Sequence, residues 1–529
     1  MPVHAIAVGP GPLTAAEVLA VARANAPVRL TPEARDLVVE SRERVRGLAA
    51  EPRAVYGVST GFGALATRHI PAERRADLQR SLVRSHAAGT GPAVESEVVR
   101  AMMALRLRTL AAGRSGVRPE TVDALVGMLN AGLTPVVHEY GSLGCSGDLA
   151  PLAAVALALM GEGEVIDGEG RRRPAAEALP AAGLRPVELA EKEGLALTNG
   201  TDGMLGMLLL ALADLRRLLD VADVTAAMTV EALLGTDRVF ADDLQRLRPH
   251  PGQAVSAARM TALLAGSEIM ASHRGPDCPL VQDAYSLRCA PQVHGAARDT
   301  LDHASSVAER ELAAVIDNPV VLPDGRVESN GNFHGAPLAY VLDFLAIPLA
   351  DVASMAERRT DRMLDVHRSH GLPPFLAVDA GVDSGHMIAQ YTQAAIVSEL
   401  KRLATPASVD SIPSSAMQED HVSLGWSAAR KLRRAVDGLT SVLAVELVTS
   451  ARALDLRAPL RPAAATGAVR DLLRGTVPPP GPDRHLAPEI HAAEELVRSG
   501  AVLTVVAGHL PSGPATDHDH PPAADPRPR

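Results

Sequence analysis

Aromatic residues are nearly missing from this chain of 529: five Tyr, five Phe and one Trp, Trp426. The core is therefore left to Ala, Leu, Val and Met. Ala and Leu are strong helix formers, whereas strands draw on aromatic and β-branched side chains, so the expected fold class is mainly α. Cysteine is scarce too. Cys145, Cys278 and Cys289 form neither an even framework nor a C-x-x-C pair, which argues against a disulfide scaffold and for a reducing compartment. Long apolar runs are absent: the longest, 149–161, has 13 residues, short of the roughly 18 that a membrane span needs. Residues 1–12 lack a basic stretch followed by an apolar one, so no signal peptide is read there and a cytoplasmic location is expected. Positive charge is not in excess either. Lys and Arg number 52 against 62 Asp and Glu, a formal charge of −10, so neither nucleic acid nor a membrane is an expected partner.

What the chain does have is helical patterning over most of its length. Thr14, followed three residues later by Glu17, forms a capping-box pattern that opens a first helix. Long helices are predicted over 205–236, 297–315, 336–363 and 384–403, which suits a long parallel or antiparallel helix bundle with a loop-rich N-terminal region. The predicted organisation is an N-terminal region 1–204, a central bundle 205–460, a C-terminal helical region 461–510 and a disordered tail 511–529 with six prolines. In the tail, Asp517-His518-Asp519-His520 has no second ligand cluster beside it, so it is read as a solvated end and no metal is expected. Residues 161–186, rich in glycine, proline and charge, are read as an exposed excursion containing a small hairpin.

Two segments carry chemistry. Tyr56-Gly57-Val58-Ser59-Thr60-Gly61-Phe62-Gly63 places three glycines within seven residues, so its backbone must turn tightly or approach another group closely. It lacks the Lys-Ser/Thr of a phosphate-binding loop. The other is Gly144-Cys145-Ser146-Gly147-Asp148-Leu149-Ala150-Pro151. Asp148 suits the N-cap of the apolar helix that follows, and Pro151 its first turn, which puts Cys145-Ser146-Gly147 at a helix N-terminus where developing negative charge is stabilised. The spacing is wrong for a G-x-S-x-G nucleophile elbow.

These residues resemble the aromatic amino acid ammonia-lyases, from about Tyr56 to Leu460. In that family an internal Ala-Ser-Gly cyclises to a 4-methylidene-imidazol-5-one. The glycine nitrogen reaches back to the carbonyl two residues earlier, and loss of water from the serine leaves an exocyclic methylene. Here the triplet is Cys145-Ser146-Gly147, and the Cys145 side chain projects from the ring without forming it. The resemblance implies Tyr56 as the general base that takes the β-proton; a free phenol ionises only near pH 10, so such a base needs tuning. It implies that Asn199 lines the prosthetic group, and it matches Gln282, Tyr285 and Arg288 to a Gln-x-x-Tyr-x-x-Arg run, with Tyr285 among the catalytic residues. Tyr285 and Arg288 are three apart and share a helical face, and a guanidinium takes a carboxylate by two parallel hydrogen bonds, so Arg288 is assigned to the substrate carboxylate. Phe333 matches an aromatic near the substrate.

Two further positions bear on the substrate ring. Ser85-His86-Ala87-Ala88-Gly89 resembles the ring-selectivity loop of the histidine-acting members, and Glu419 stands where those members place the acid that holds the imidazole. Together they imply L-histidine as substrate, with trans-urocanate and ammonia as products. A 2,3-aminomutase, or an ammonia-lyase for tyrosine or phenylalanine, would share all the electrophile residues and is the alternative. The resemblance further implies a homotetramer with active sites shared among subunits. Ser414-Ser415-Ala416-Met417 is similar to the Ser-Ser-x-Met loop of fumarases and aspartases, but the continuation Gln418-Glu419-Asp420 differs. A non-catalytic bundle is opposed by the presence of Tyr56, Ser146, Gly147 and Arg288 together.

Overall fold

The aliphatic composition is realised as helix: among the described residues there are twenty α-helices, and no strand exceeds four residues. The computed structural model describes residues 5–50, 56–61, 63–275 and 281–511. Phe62, Cys278 and the Asp517–His520 tract lie outside them. The chain divides into two compact units, one of Met1–Arg216, Thr300–Ala350 and Ser398–Gly438, the other of Arg217–Asp299, Asp351–Val397 and Leu439–Arg529.

The first unit begins with Ile6–Val8 paired in parallel with Val28–Leu30, and between them the Thr14 capping box opens the helix Ala15–Ala24 as predicted. Ser96–Ala111 is buried along nearly its whole length. Leu149–Leu159, apolar on every side, is also largely buried, as an apolar helix without a polar face must be. The 161–186 excursion does contain a hairpin, Glu164–Ile166 with Arg172–Pro174, and Thr134–Pro135 adds a third strand to it. A helix, Ala175–Ala181, follows. Trp426, one of two aromatics fully buried among the described residues, donates its indole N–H to Glu139 O at 2.7 Å.

The predicted long helices form with shifted ends, as Asp202–Ala232, Ala290–Ala313, Ala336–Leu364 and Met387–Leu403. A further one, Gly425–Asp455, was not among the predictions. In the second unit, buried Arg359 donates to Glu446 Oε1 at 2.5 Å, and Glu446 also accepts from Thr225 and Thr229 at 2.7 and 3.1 Å. This network joins three of the long helices. Taking both charges out of water offsets much of their attraction, so the pair adds little net stability. Ala336–Leu364 is the one helix among the described residues long and apolar enough to cross a membrane by length and composition, and 61% of its apolar window is buried in the fold.

Candidate active site

In the first unit the glycine-rich loop folds so that the Tyr56 hydroxyl accepts the Gly63 N–H at 3.3 Å. Gly63 has φ of 52°, and a Cβ there would lie 2.8 Å from Ser415 Oγ and 3.9 Å from Glu419 Oε1. The need for glycine thus comes from close approach of a second loop, the one bearing Glu419. That loop is pinned at its neck: Ser414 N donates to Glu419 O at 2.8 Å, and Ser414 Oγ donates to Glu419 Oε2 at 3.0 Å. Between them Ser415, Ala416 and Met417 hold φ of 50°, 52° and 70°. Three consecutive non-glycine residues in the left-handed region cost about 1–2 kcal/mol each, and strain of this kind gathers at functional sites.

Glu419 acts electrostatically on two other predicted residues. His86 ends the helix Arg75–His86. Burial lowers its pKa, while a hydrogen bond to Leu82 and the Glu419 charge oppose the shift. The Cys145 thiol is pushed up to about 11, first by burial and then by the Glu419 charge, so at neutral pH it is an S–H group and not a thiolate. Beyond Glu419 the chain returns to the triplet, with Leu424 N donating to Leu143 O at 2.9 Å and Ser423 Oγ to Gly144 O at 3.3 Å. His421 stacks on His334 with ring centroids 5.7 Å apart, beside half-buried Phe333.

The triplet itself is held from two sides. Ser146 Oγ donates to Asn199 Oδ1 at 2.7 Å, and Asn199 Nδ2 donates to Asn318 O at 2.8 Å. Gly147 has φ of 76°, and a Cβ there would run into the carbonyl oxygen of Gly200. Asp148 corrects the sequence reading. It precedes the Leu149–Leu159 helix but makes no side-chain cap to it. Its Oδ2 instead accepts from Gly203 N and Met204 N at 2.9 Å each, in the first turn of Asp202–Ala232, while Ser142 Oγ donates to Oδ1 at 3.3 Å. The reason is local geometry: Asp148 N donates to Gly200 O at 2.7 Å, which draws the start of the second helix alongside. Burial raises the Asp148 carboxyl to about 7 despite these donors.

Gln282, Tyr285 and Arg288 belong to the second unit. Tyr285–Arg288 forms one helical turn, and the Arg288 guanidinium lies 4.7 Å from the Tyr285 ring centroid, the shared face that the spacing predicts. Tyr285 is 70% exposed. Arg288 Nε is buried without a hydrogen-bond partner among the described residues. Gln282 lines a cleft of about 350 Å³ with Thr236, Asp237, His273 and Arg274. The first unit thus gathers Tyr56, His86, Cys145, Ser146, Gly147, Asn199 and Glu419, with Phe333 beside His334. Sequence reasoning missed Ser414 and Asn318 as partners of Glu419 and Asn199. Neither had a local signal, since the turn at 415–417 contains no glycine and Asn318 acts through its backbone.

Comparison with known proteins gives a consistent outcome. The aromatic amino acid lyase family profile matches residues 13–475. A histidine ammonia-lyase of Streptomyces coelicolor is 66% identical over 512 residues, 97% of this chain and 99% of the relative. Among solved structures, tyrosine aminomutase from Streptomyces globisporus superposes with a TM-score of 0.90 at 37% identity, covering 96% of this chain and 99% of the other. Histidine ammonia-lyase from Trypanosoma cruzi gives 0.88 at 37% identity, covering 96% of each.

Proposed function

The chain belongs to the aromatic amino acid lyase family, and from that premise we propose that it removes ammonia from L-histidine to give trans-urocanate, using a 4-methylidene-imidazol-5-one formed from Cys145-Ser146-Gly147. The observation that carries the choice of histidine is Glu419, held by the Ser414 hydroxyl and within electrostatic reach of His86. A carboxylate so placed accepts an imidazole N–H. Facing a phenyl ring its other oxygen would lack that donor, at a cost of about 1–3 kcal/mol, and sites built around a polar partner discriminate strongly against ligands that lack it. The relatives that act on histidine support the same substrate.

The residues present fit the prosthetic group. Gly147 sits where no side chain can, so its nitrogen can approach the Cys145 carbonyl carbon, and the Ser146 hydroxyl to be lost as water is fixed by Asn199. Held by Cys145, Ser146, Gly147 and Asn199, the group would supply an electrophilic carbon toward which the substrate amine becomes a better leaving group. The side chains do the rest. Arg288 pairs with the substrate carboxylate beside Gln282 and Tyr285, His86 and Glu419 hold the imidazole, and Asn199 and Phe333 line the site. Tyr56 accepts the β-proton; the electrons of that C–H bond form the Cα–Cβ double bond as the C–N pair departs with nitrogen.

A homotetramer with shared sites completes this reading, and we place the protein in the cytoplasm. Tyr340, Phe344 and Ile347 form an exposed apolar face on the Ala336–Leu364 helix, in a chain with few aromatics to spare. Such a face is suited to burial against another copy. An aminomutase is the second reading, favoured by the likeness to tyrosine aminomutase. Chromatography of products formed from L-histidine separates the two: urocanate with equimolar ammonia supports the lyase, and β-histidine supports the mutase.

A further inference from the structure

One buried ion pair has no role in the assignments above. Lys192 Nζ donates to Asp317 Oδ2 at 2.5 Å, and both side chains are wholly buried. Lys192, at φ of 68°, precedes the short helix Glu193–Thr198, and Asn199 closes that helix as its C-cap. Asp317-Asn318 is fastened to both ends of it. At the start, the Asp317 carboxylate holds Lys192 through one oxygen while the other accepts the Asn318 N–H at 2.7 Å. At the finish, the Asn318 carbonyl accepts Asn199 Nδ2 at 2.8 Å. Asn330 adds support, donating from Nδ2 to Asp317 O at 2.9 Å and from its backbone to Asn318 Oδ1 at 3.1 Å.

The consequence lies in the asymmetry of the Asn199 amide. One end donates and the other accepts. With an acceptor fixed at Asn318 O, Nδ2 must point there, and Oδ1 is left facing Ser146, whose hydroxyl donates to it at 2.7 Å. Were Asn318 free to turn, the amide could flip and present a donor to the serine oxygen. An apolar pair could fill the volume of Lys192 and Asp317, and buried pairs are often replaceable on stability grounds. It would leave the Asn318 N–H without the Asp317 oxygen that accepts it.

We propose that Lys192 and Asp317 are positioning residues for cyclisation of Cys145-Ser146-Gly147, acting through Asn318 and Asn199 on the Ser146 hydroxyl. In the step they serve, the Gly147 nitrogen bonds to the Cys145 carbonyl carbon, and that oxygen leaves as water with the hydrogens of the Gly147 and Ser146 nitrogens. The Ser146 Cα hydrogen and hydroxyl then leave as a second water. No oxidant is needed. The inference rests on the proposed reading of the site.

The test is peptide mass spectrometry of the purified full chain, comparing wild type, Ser146→Ala and the charge-neutral double variant Lys192→Met/Asp317→Asn, each checked for helical content and assembly size. Wild type is expected to yield a peptide over Cys145–Gly147 lighter by two waters. In the folded double variant the matured fraction is expected to fall about tenfold or more, as when a group orienting an active residue from behind is lost. If the double variant is recovered only as insoluble chain, Lys192→Gln/Asp317→Asn, which leaves no unpaired charge and keeps polar groups at both positions, carries the test with the same expected direction. A folded variant as fully matured as wild type overturns the clamp and leaves the site reading intact. A wild-type peptide of unreduced mass overturns the site reading, and the clamp with it.

Discussion

Ser414 Oγ donates to Glu419 Oε2 at 3.0 Å across a left-handed turn, so the carboxylate assigned to the substrate ring is aimed by a neighbour five residues away. A hydrogen bond to a charged acceptor contributes about 1.5–3 kcal/mol when well formed, and Glu419 is half-exposed, which places the effect at the low end. Ser414→Ala is expected to raise KM for histidine about tenfold, equivalent to ~1.4 kcal/mol, with a smaller change in kcat. Steady-state kinetics on the variant check this.

Removing the polar pocket itself has a larger effect. His86→Phe with Glu419→Gln is expected to lower kcat/KM for histidine by on the order of a hundredfold or more and to relax selectivity among aromatic amino acids. Unchanged histidine kinetics in the double variant would contradict the pocket assignment.

Asp148 gives a pH-dependent expectation. Its folded-state pKa, about 7, lies above the ordinary 3.8, with burial as the main cause. The proton is bound more tightly in the folded chain, so this group's contribution to stability is full below the ordinary value and is lost as pH rises from there through about 7. Asp148→Asn keeps an acceptor for Gly203 and Met204 without the charge. The stability of the variant relative to wild type is therefore expected to increase by a few kcal/mol across that window, as read from denaturant unfolding at several pH values.

Much of this arrangement is legible in the sequence where the interaction is local. The Thr14–Glu17 capping box spans three residues, and the Tyr285–Arg288 face spans one turn; both formed as predicted. The glycines of the Tyr56 loop signal close approach, but not to what: Ser415 and Glu419 are more than three hundred residues away. Asp148 looks like an ordinary N-cap because its position is one, yet its donors lie 55 and 56 residues on. The Lys192–Asp317 pair spans 125 residues and has no sequence pattern at all. Helix Gly425–Asp455 begins with glycine at its first position, and the hydroxyl that accepts the Gly425 N–H belongs to Ser423 two residues earlier, which blurs the usual start signal.

The proposed sharing of active sites between subunits leads to a complementation experiment. Tyr56→Phe and Arg288→Met are each expected to lose most activity alone. Co-expressed, they are expected to regain part of it, because mixed assemblies contain sites in which both residues are native. Absence of any recovery in verified mixed assemblies would contradict sharing of the site between subunits.

The most direct measurement of the central claim is ultraviolet absorbance after mixing the purified protein with L-histidine, and separately with L-phenylalanine and L-tyrosine, alongside Ser146→Ala. Urocanate is expected from histidine with the wild-type chain, and no turnover with Ser146→Ala. Cinnamate or coumarate formed without urocanate, or full activity in Ser146→Ala, would contradict the account.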